Sequence, residues 1–137
     1  MVNTLLHEIL HNLLFNDFDL YKNKNGILSG PEVIREGRAH FGCPNYKGIE
    51  LERDRKGQRR TMHEETIHYG DDIEVAMSGQ SQLISRLVLA ALKDSGKFEV
   101  DYNKAGMLKY GYKQGCSFLE KTFCDYKNYP QYFCSAD

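Results

Sequence analysis

No stretch of this sequence is long and apolar enough to cross a bilayer, and neither sign of charge dominates it. The longest apolar-rich run, residues 83–92, is interrupted by Ser85 and Arg86 and falls well short of the roughly 20 residues that a spanning helix needs. With 18 Lys and Arg against 19 Asp and Glu, the net charge of −1 gives no electrostatic argument for binding nucleic acid or an anionic membrane. We therefore predict no transmembrane segment in this chain and no nucleic-acid partner.

The start of the sequence has no basic segment followed by an apolar core, and no two cysteines form a Cys-x-x-Cys pair. The first fifteen residues carry His, Glu and Asn among the leucines, so we expect no signal peptide in this chain. The missing Cys-x-x-Cys pair argues against a zinc ribbon or a thioredoxin-type site. An even number of cysteines favours disulfides in an oxidising compartment, with a connectivity that the sequence leaves open. The four are Cys43, Cys116, Cys124 and Cys134.

The segment HEILH, at residues 7–11, is the feature that points to chemistry. Histidines four apart on a helix lie one turn above each other, so His7 and His11 can direct ring nitrogens at one zinc ion. Glu8 shares their polar face and would act as general base. A plain amphipathic helix with two solvated histidines is the alternative, because short motifs also match helices that hold no metal. An apolar stripe predicts the helix, ending near Phe15: Val2, Leu5, Leu6, Ile9, Leu10, Leu13 and Leu14.

A catalytic zinc site needs a third protein ligand and one open position for water. Three further histidines could supply that ligand: His40, His63 and His68. The spacing of the sequence does not choose among them, because a third ligand can come from any distant loop.

The rest of the chain predicts two more helices and little strand. Ser-Gly-Pro at 29–31 indicates a helix through about His40, and residues 81–94 form a second amphipathic helix ended by a glycine. Apolar residues that alternate over 98–102 predict a short strand. The basic run at 53–60 is expected to be a solvated loop, and the tail from residue 106 an irregular segment pinned by disulfides.

Five stretches in order, covering nearly the whole chain, resemble leishmanolysin, a zinc metallopeptidase family of the metzincin group. They are HEILHNLLF, HFGCPNYKGIELE, HEE at 63–65, SRLVLAALKDSG and YGYKQGCSF. The resemblance implies His7 and His11 as zinc ligands and Glu8 as the general base. It implies His63 as the third ligand, because the family's third histidine is followed two positions later by glutamate, here Glu65. One zinc ion (Zn2+) per chain and protein or peptide substrates follow from the same resemblance.

The sequence departs from the family at several places. Leu14 stands where the family has a glycine after the second histidine, and glycine adopts the positive φ of a turn without strain. The position of the family's turn methionine holds Glu74, with Met77 three residues on, and Lys97 stands where a tryptophan is common. An N-terminal subdomain precedes the zinc helix in the family, whereas six residues precede His7 here. We therefore expect the chain to correspond to the lower half of such an enzyme.

The expected fold class is mainly α with little β: a metzincin-like lower subdomain fragment with a disulfide-pinned, irregular C-terminal tail. We expect one partial catalytic domain over 1–137, with the active-site helix at 2–15, the third-ligand region at 61–79, a core helix at 81–95 and the Cys-rich tail at 106–137.

The expected function is that of a zinc-dependent metalloendopeptidase, in a truncated form. The alternative is a catalytically impaired or inactive leishmanolysin-like module with a binding or cell-adhesion role. The resemblance further implies an extracellular or cell-surface, membrane-associated location.

Overall fold

The computed structural model describes residues 2–15, 26–53, 59–64, 66–70, 72–73, 83–120 and 125–133 of the 137-residue chain. At residues 2, 3, 15, 53, 59–64, 66 and 67 it describes the backbone alone. The helices in these ranges are α1 (Val2–Phe15), α2 (Pro31–Phe41), α3 (Thr66–Tyr69), α4 (Arg86–Asp94) and α5 (Cys116–Leu119). The strands are β1 (Ile27–Leu28), β2 (Ile49–Arg53) and β3 (Arg59–Glu64), and Tyr102–Lys104 form one 3-10 turn. The prediction of a mainly helical fold is confirmed.

The α2–α4 pair is the centre of the packing. The ring of Pro31, at the first position of α2, fixes its φ angle close to the helical value. Gly42 ends the helix in the left-handed conformation, with φ 66°. Asp94, the last residue of α4, supplies the missing cap of α2, since its carboxylate accepts hydrogen bonds from Glu32 N at 3.1 Å and Val33 N at 2.8 Å. The two helices are thereby joined end to end as well as side to side.

Helix α4 begins at Arg86, five residues later than the predicted start at 81. Ser85 caps it, because its Oγ accepts hydrogen bonds from the backbone N–H groups of Leu87 and Val88. Leu83 lies outside the helix because it forms a parallel bridge with Asp72. The predicted helix is therefore present but shorter.

The three strands form an antiparallel sheet in the order β1-β2-β3. Leu51 of β2 lies opposite Glu64 of β3, and Arg53 lies opposite Arg59. The prediction of a solvated loop over 53–60 is therefore wrong for Arg53, which belongs to β2, and for Arg59 and Arg60, which belong to β3. Residues 54–58 lie outside the described residues. Cross-strand pairing gives the backbone groups at these two ends partners on the neighbouring strand.

The prediction of a strand over 98–102 is also wrong. In this described stretch the backbone pairs with no other strand, and the Asp101 carboxylate instead accepts from Asn103 N, which turns the chain into the 3-10 helix. Tyr102 packs on the α2–α4 pair: its hydroxyl donates to Glu32 at 2.7 Å, and Arg86 lies 4.4 Å from its ring centroid. The alternating residues Phe98, Val100 and Tyr102 are partly buried against the core, without pairing in a sheet.

The tail is fastened to the C-terminal end of α2. Lys113 N donates to His40 O and Gly115 N to Phe41 O, each at 2.8 Å, so the last carbonyls of α2 have partners. A disulfide joins Cys43, just past α2, to Cys116 at the start of α5. Apart from the four-residue helix α5, the described part of the tail has turns and irregular backbone, in agreement with the predicted irregular segment. Cys124 and Cys134 lie outside the described residues.

Helix α1 contacts α4 and contributes Leu10 and Leu14 to the hydrophobic core of the described residues. Leu10 and Leu14 are buried, but Leu5 is 65% exposed and Ile9 is 45% exposed, so only part of the apolar stripe faces the core. The largest fully buried side chains from the other elements are Tyr69, Phe41, Phe118, Leu28, Ile49, Leu51, Ile73, Leu87 and Val33. None of the described helices combines the length and the apolar character that crossing a membrane would require.

Candidate metal centre

Helix α1 brings the two imidazoles of the HEILH segment together. The Nε2 atoms of His7 and His11 lie 2.9 Å apart, and the rings meet edge to face with centroids 4.4 Å apart. Two nitrogens bound to one tetrahedral zinc at about 2.0–2.1 Å each would be about 3.4 Å apart. A small opening of this pair would therefore place both Nε2 atoms on one ion.

The tautomer of His7 is set by a backbone carbonyl. His7 Nδ1 lies 2.5 Å from Ile73 O, and because a carbonyl oxygen can only accept, Nδ1 carries the proton. In the neutral ring Nε2 then keeps its lone pair and accepts from Nε2–H of His11 when no metal is bound. Donation from the second ring nitrogen to a backbone carbonyl is typical of histidines that ligate metals. The residues present therefore fit a zinc ion.

Glu8 follows His7 on α1 and is exposed. Asn12, one turn on, donates to the Glu8 backbone carbonyl at 2.8 Å. An exposed carboxylate that adjoins His7 in the sequence is accessible to a water molecule and to a substrate, which is what a general base requires.

The predicted third ligand, His63, has a side chain outside the part of the chain that the structure describes. His63 lies in β3, where the backbone is described and the side chain is not, and Glu65, Glu74 and Met77 lie outside the described residues. Over the side chains that are described, no group of three His, Cys, Asp or Glu residues is arranged to hold a metal. The assignment of His63 as third ligand stays a prediction.

The other two histidines pack against aromatic side chains. His40 Nε2 donates to Tyr110 O at 2.9 Å and its ring meets Phe41 edge to face; burial lowers the pKa of this imidazole. His68 is buried, with its ring against Tyr69 and Phe118. Neither belongs to a three-residue metal-ligating group among the described side chains, and both have packing roles.

Asp72, which the sequence did not predict as a functional residue, is a buried carboxyl group close to the pair. Asp72 has no exposed surface, and its Oδ1 accepts from Ile73 N at 2.9 Å and from Ser85 N at 3.3 Å, while Oδ2 accepts from the Ser85 hydroxyl. Burial raises the pKa of Asp72 to about 7, although these hydrogen bonds act to lower it. The signal in the sequence was Ser85, the polar residue that interrupts an apolar run.

Comparison with known proteins identifies the family. The sequence profile of leishmanolysin matches residues 1–137. This chain belongs to the leishmanolysin family. The resemblance drawn from the five stretches is therefore confirmed, and the family is one of zinc metallopeptidases.

Several relatives cover most of the chain. A leishmanolysin homologue of Crithidia fasciculata is 27% identical over 153 aligned residues, which include all of this chain. A leishmanolysin-like peptidase of Drosophila pseudoobscura pseudoobscura is 35% identical over 97 residues, or 70% of this chain, and the leishmanolysin of Leishmania chagasi is 24% identical over 133 residues, or 95%. The chain spans 23%, 14% and 21% of the lengths of these three relatives.

Proposed function

We propose that this chain carries the zinc-binding part of a leishmanolysin-type metalloendopeptidase that hydrolyses peptide bonds in proteins. The observation that carries the proposal is the pairing of the His7 and His11 Nε2 atoms, with His7 Nδ1 donating to the Ile73 carbonyl. His7 and His11 would hold one Zn2+ per chain, together with His63 from β3.

In this mechanism His7 and His11 would bind the metal through their Nε2 atoms. The Ile73 carbonyl holds the His7 ring in the tautomer that presents Nε2, and the helical spacing places His11 Nε2 beside it. When bound, zinc would supply a Lewis acid that lowers the pKa of a water molecule to about 7 and polarises a peptide carbonyl.

Glu8 would move the proton. Its exposed carboxylate would accept a proton from the attacking water and pass it to the nitrogen of the leaving amine. The oxygen of the water would first form a bond to the carbonyl carbon, and the C–N bond would then break as the amine nitrogen takes the proton. The substrates would be proteins or peptides.

The Cys43–Cys116 disulfide supports a location in an oxidising compartment. With the family membership, it favours the extracellular space or the cell surface as the site of action.

A second candidate function is favoured by Leu14. This side chain is 1% exposed and packs in the core, and α1 continues through Phe15 past the position where the family has its turn glycine. A helix that continues there alters the surroundings of the metal centre. The alternative is therefore a catalytically inactive module that retains a binding or cell-adhesion role.

Zinc stoichiometry and casein cleavage distinguish these functions. The purified chain should bind one zinc ion, and Glu8→Gln should retain the metal while losing about 10²–10⁴-fold in cleavage rate. Glu99→Gln, which changes an exposed glutamate elsewhere, should leave both unchanged.

Substitution of the third histidine tests the ligand set. His63→Ala should lose zinc, whereas His40→Gln should keep it. Zinc at one per chain without Glu8-dependent cleavage would favour the inactive module. A chain that binds no zinc would contradict the metalloendopeptidase.

A further inference from the structure

A buried carboxylate connects the start of α4 to the backbone beside the histidine pair. The Ser85 hydroxyl accepts from Leu87 N at 3.0 Å and from Val88 N at 3.3 Å, so its own proton points to Asp72 Oδ2. The backbone N–H of Ser85 donates to Oδ1 of the same carboxylate. The N-terminal end of α4, where the helix dipole favours negative charge, therefore holds Asp72 in one orientation.

Asp72 in turn restricts the backbone conformation of Ile73. The Ile73 N–H is shared between Asp72 Oδ1 at 2.9 Å and Leu83 O at 2.8 Å, and the Ile73 side chain is fully buried. The N–H contacts hold the preceding peptide plane, and the packed side chain restricts φ. The direction of the Ile73 carbonyl then depends on ψ alone, and that carbonyl accepts from His7 Nδ1.

We propose that Asp72 is a positioning residue for the metal centre, holding the Ile73 backbone so that its carbonyl keeps His7 in the Nδ1–H tautomer with Nε2 directed to the metal. The inference rests on the proposed function in that His7 is taken as a zinc ligand. A buried carboxylate is costly, and capping α4 requires only the Ser85 hydroxyl, so the helix alone does not account for Asp72. The hydrogen bonds run in series from Ser85 through Asp72 and Ile73 to the His7 ring, and hydrogen bonds in such a chain strengthen one another.

The first test reads the His7 tautomer in the metal-free chain. A two-bond 15N–1H correlation spectrum should show His7 protonated at Nδ1 in the wild type and a mixture of tautomers in Asp72→Asn. Asparagine keeps the volume of the side chain but presents an amide donor where the Ser85 hydroxyl needs an acceptor. Asp94→Asn is the matched control, because Asp94 also accepts two backbone N–H bonds at a helix start, yet caps α2.

The second test measures zinc affinity by competition with a chromophoric chelator. Asp72→Asn should bind zinc about 10- to 100-fold more weakly, the range for loss of an outer-shell partner. Asp94→Asn should bind as the wild type does. Because Asp72→Asn could fail to fold, Ser85→Ala and Ser85→Thr form a second pair: alanine should reproduce the loss, and threonine, which keeps the hydroxyl, should restore affinity.

The outcomes separate the two proposals. Wild-type tautomer and affinity in both Asp72→Asn and Ser85→Ala would overturn the positioning role, as would equal losses in Asp94→Asn. A wild-type chain that binds no zinc would contradict the proposed function, while the tautomer in the metal-free variants would still decide whether Asp72 positions His7.

Discussion

At the scale of single residues, the carboxyl group of Asp72 shows how burial and hydrogen bonding oppose each other. Three donors favour the charged form, and removal from water disfavours it more, so the pKa of Asp72 rises from 3.8 to about 7. Nothing in the local sequence around Asp72 predicts this, because Ser85 supplies its side-chain donor from thirteen residues away.

The pKa of Asp72 predicts a pH dependence of stability. Because the folded-state pKa is raised, the folded chain binds a proton more tightly than the unfolded chain between pH 3.8 and about 7. The contribution of Asp72 to stability is therefore fully present below pH 3.8 and is lost as the pH rises to about 7. Urea denaturation in the presence of a chelator should show wild type losing stability relative to Asp72→Asn across that window. A pH-independent difference between the two proteins would contradict the prediction.

At the scale of secondary-structure elements, helix α2 is completed by a residue from another helix. The sequence Ser-Gly-Pro indicates where α2 starts, but its N-cap residue, Gly30, has no side chain to offer. A Cβ at Gly30 would lie 2.3 Å from Asp94 Oδ2, so the glycine makes room for the carboxylate that caps the helix. The cap depends on α4 being packed against α2.

Removal of that cap should destabilise the fold. Asp94→Ala leaves the N–H groups of Glu32 and Val33 without their acceptor, and we expect a loss of about 0.5–2 kcal/mol in the free energy of unfolding. Urea denaturation followed by circular dichroism measures it. Glu99→Ala, at an exposed residue, should change stability by less than about 0.5 kcal/mol. Equal losses in both variants would argue against the capping role.

At the scale of the whole molecule, one disulfide joins two distant parts of the chain. Cys43 and Cys116 are 73 residues apart in sequence, and their bond fastens the tail to the end of α2. A cross-link over a loop of this length lowers the entropy of the unfolded chain and so favours the folded state.

The Cys43→Ser/Cys116→Ser variant should unfold with a free energy lower by about 2–4 kcal/mol. Guanidinium denaturation of the oxidised proteins measures the loss. Each single serine variant should lose as much as the double variant, because either change breaks the same bond. Additive losses in the single variants would mean that the serines act through local packing instead.

The sequence by itself determined the family, the HEILH helix and the helical positions of α2 and α4, because caps, prolines and apolar spacing act within a few residues. It also identified His7 and His11 as a pair, since helical geometry places residues four apart on one face. The assignment of His63 came from resemblance and stays a prediction.

Only the tertiary structure decided the features that depend on contacts between residues far apart in the chain. It paired Cys43 with Cys116, placed Tyr102 against α2 and α4, and buried Leu14 while leaving Leu5 exposed. It also set Ile73 beside His7, a contact across 66 residues. Such contacts form because packing and hydrogen-bond satisfaction are properties of the assembled core, and spacing along the chain does not encode them locally.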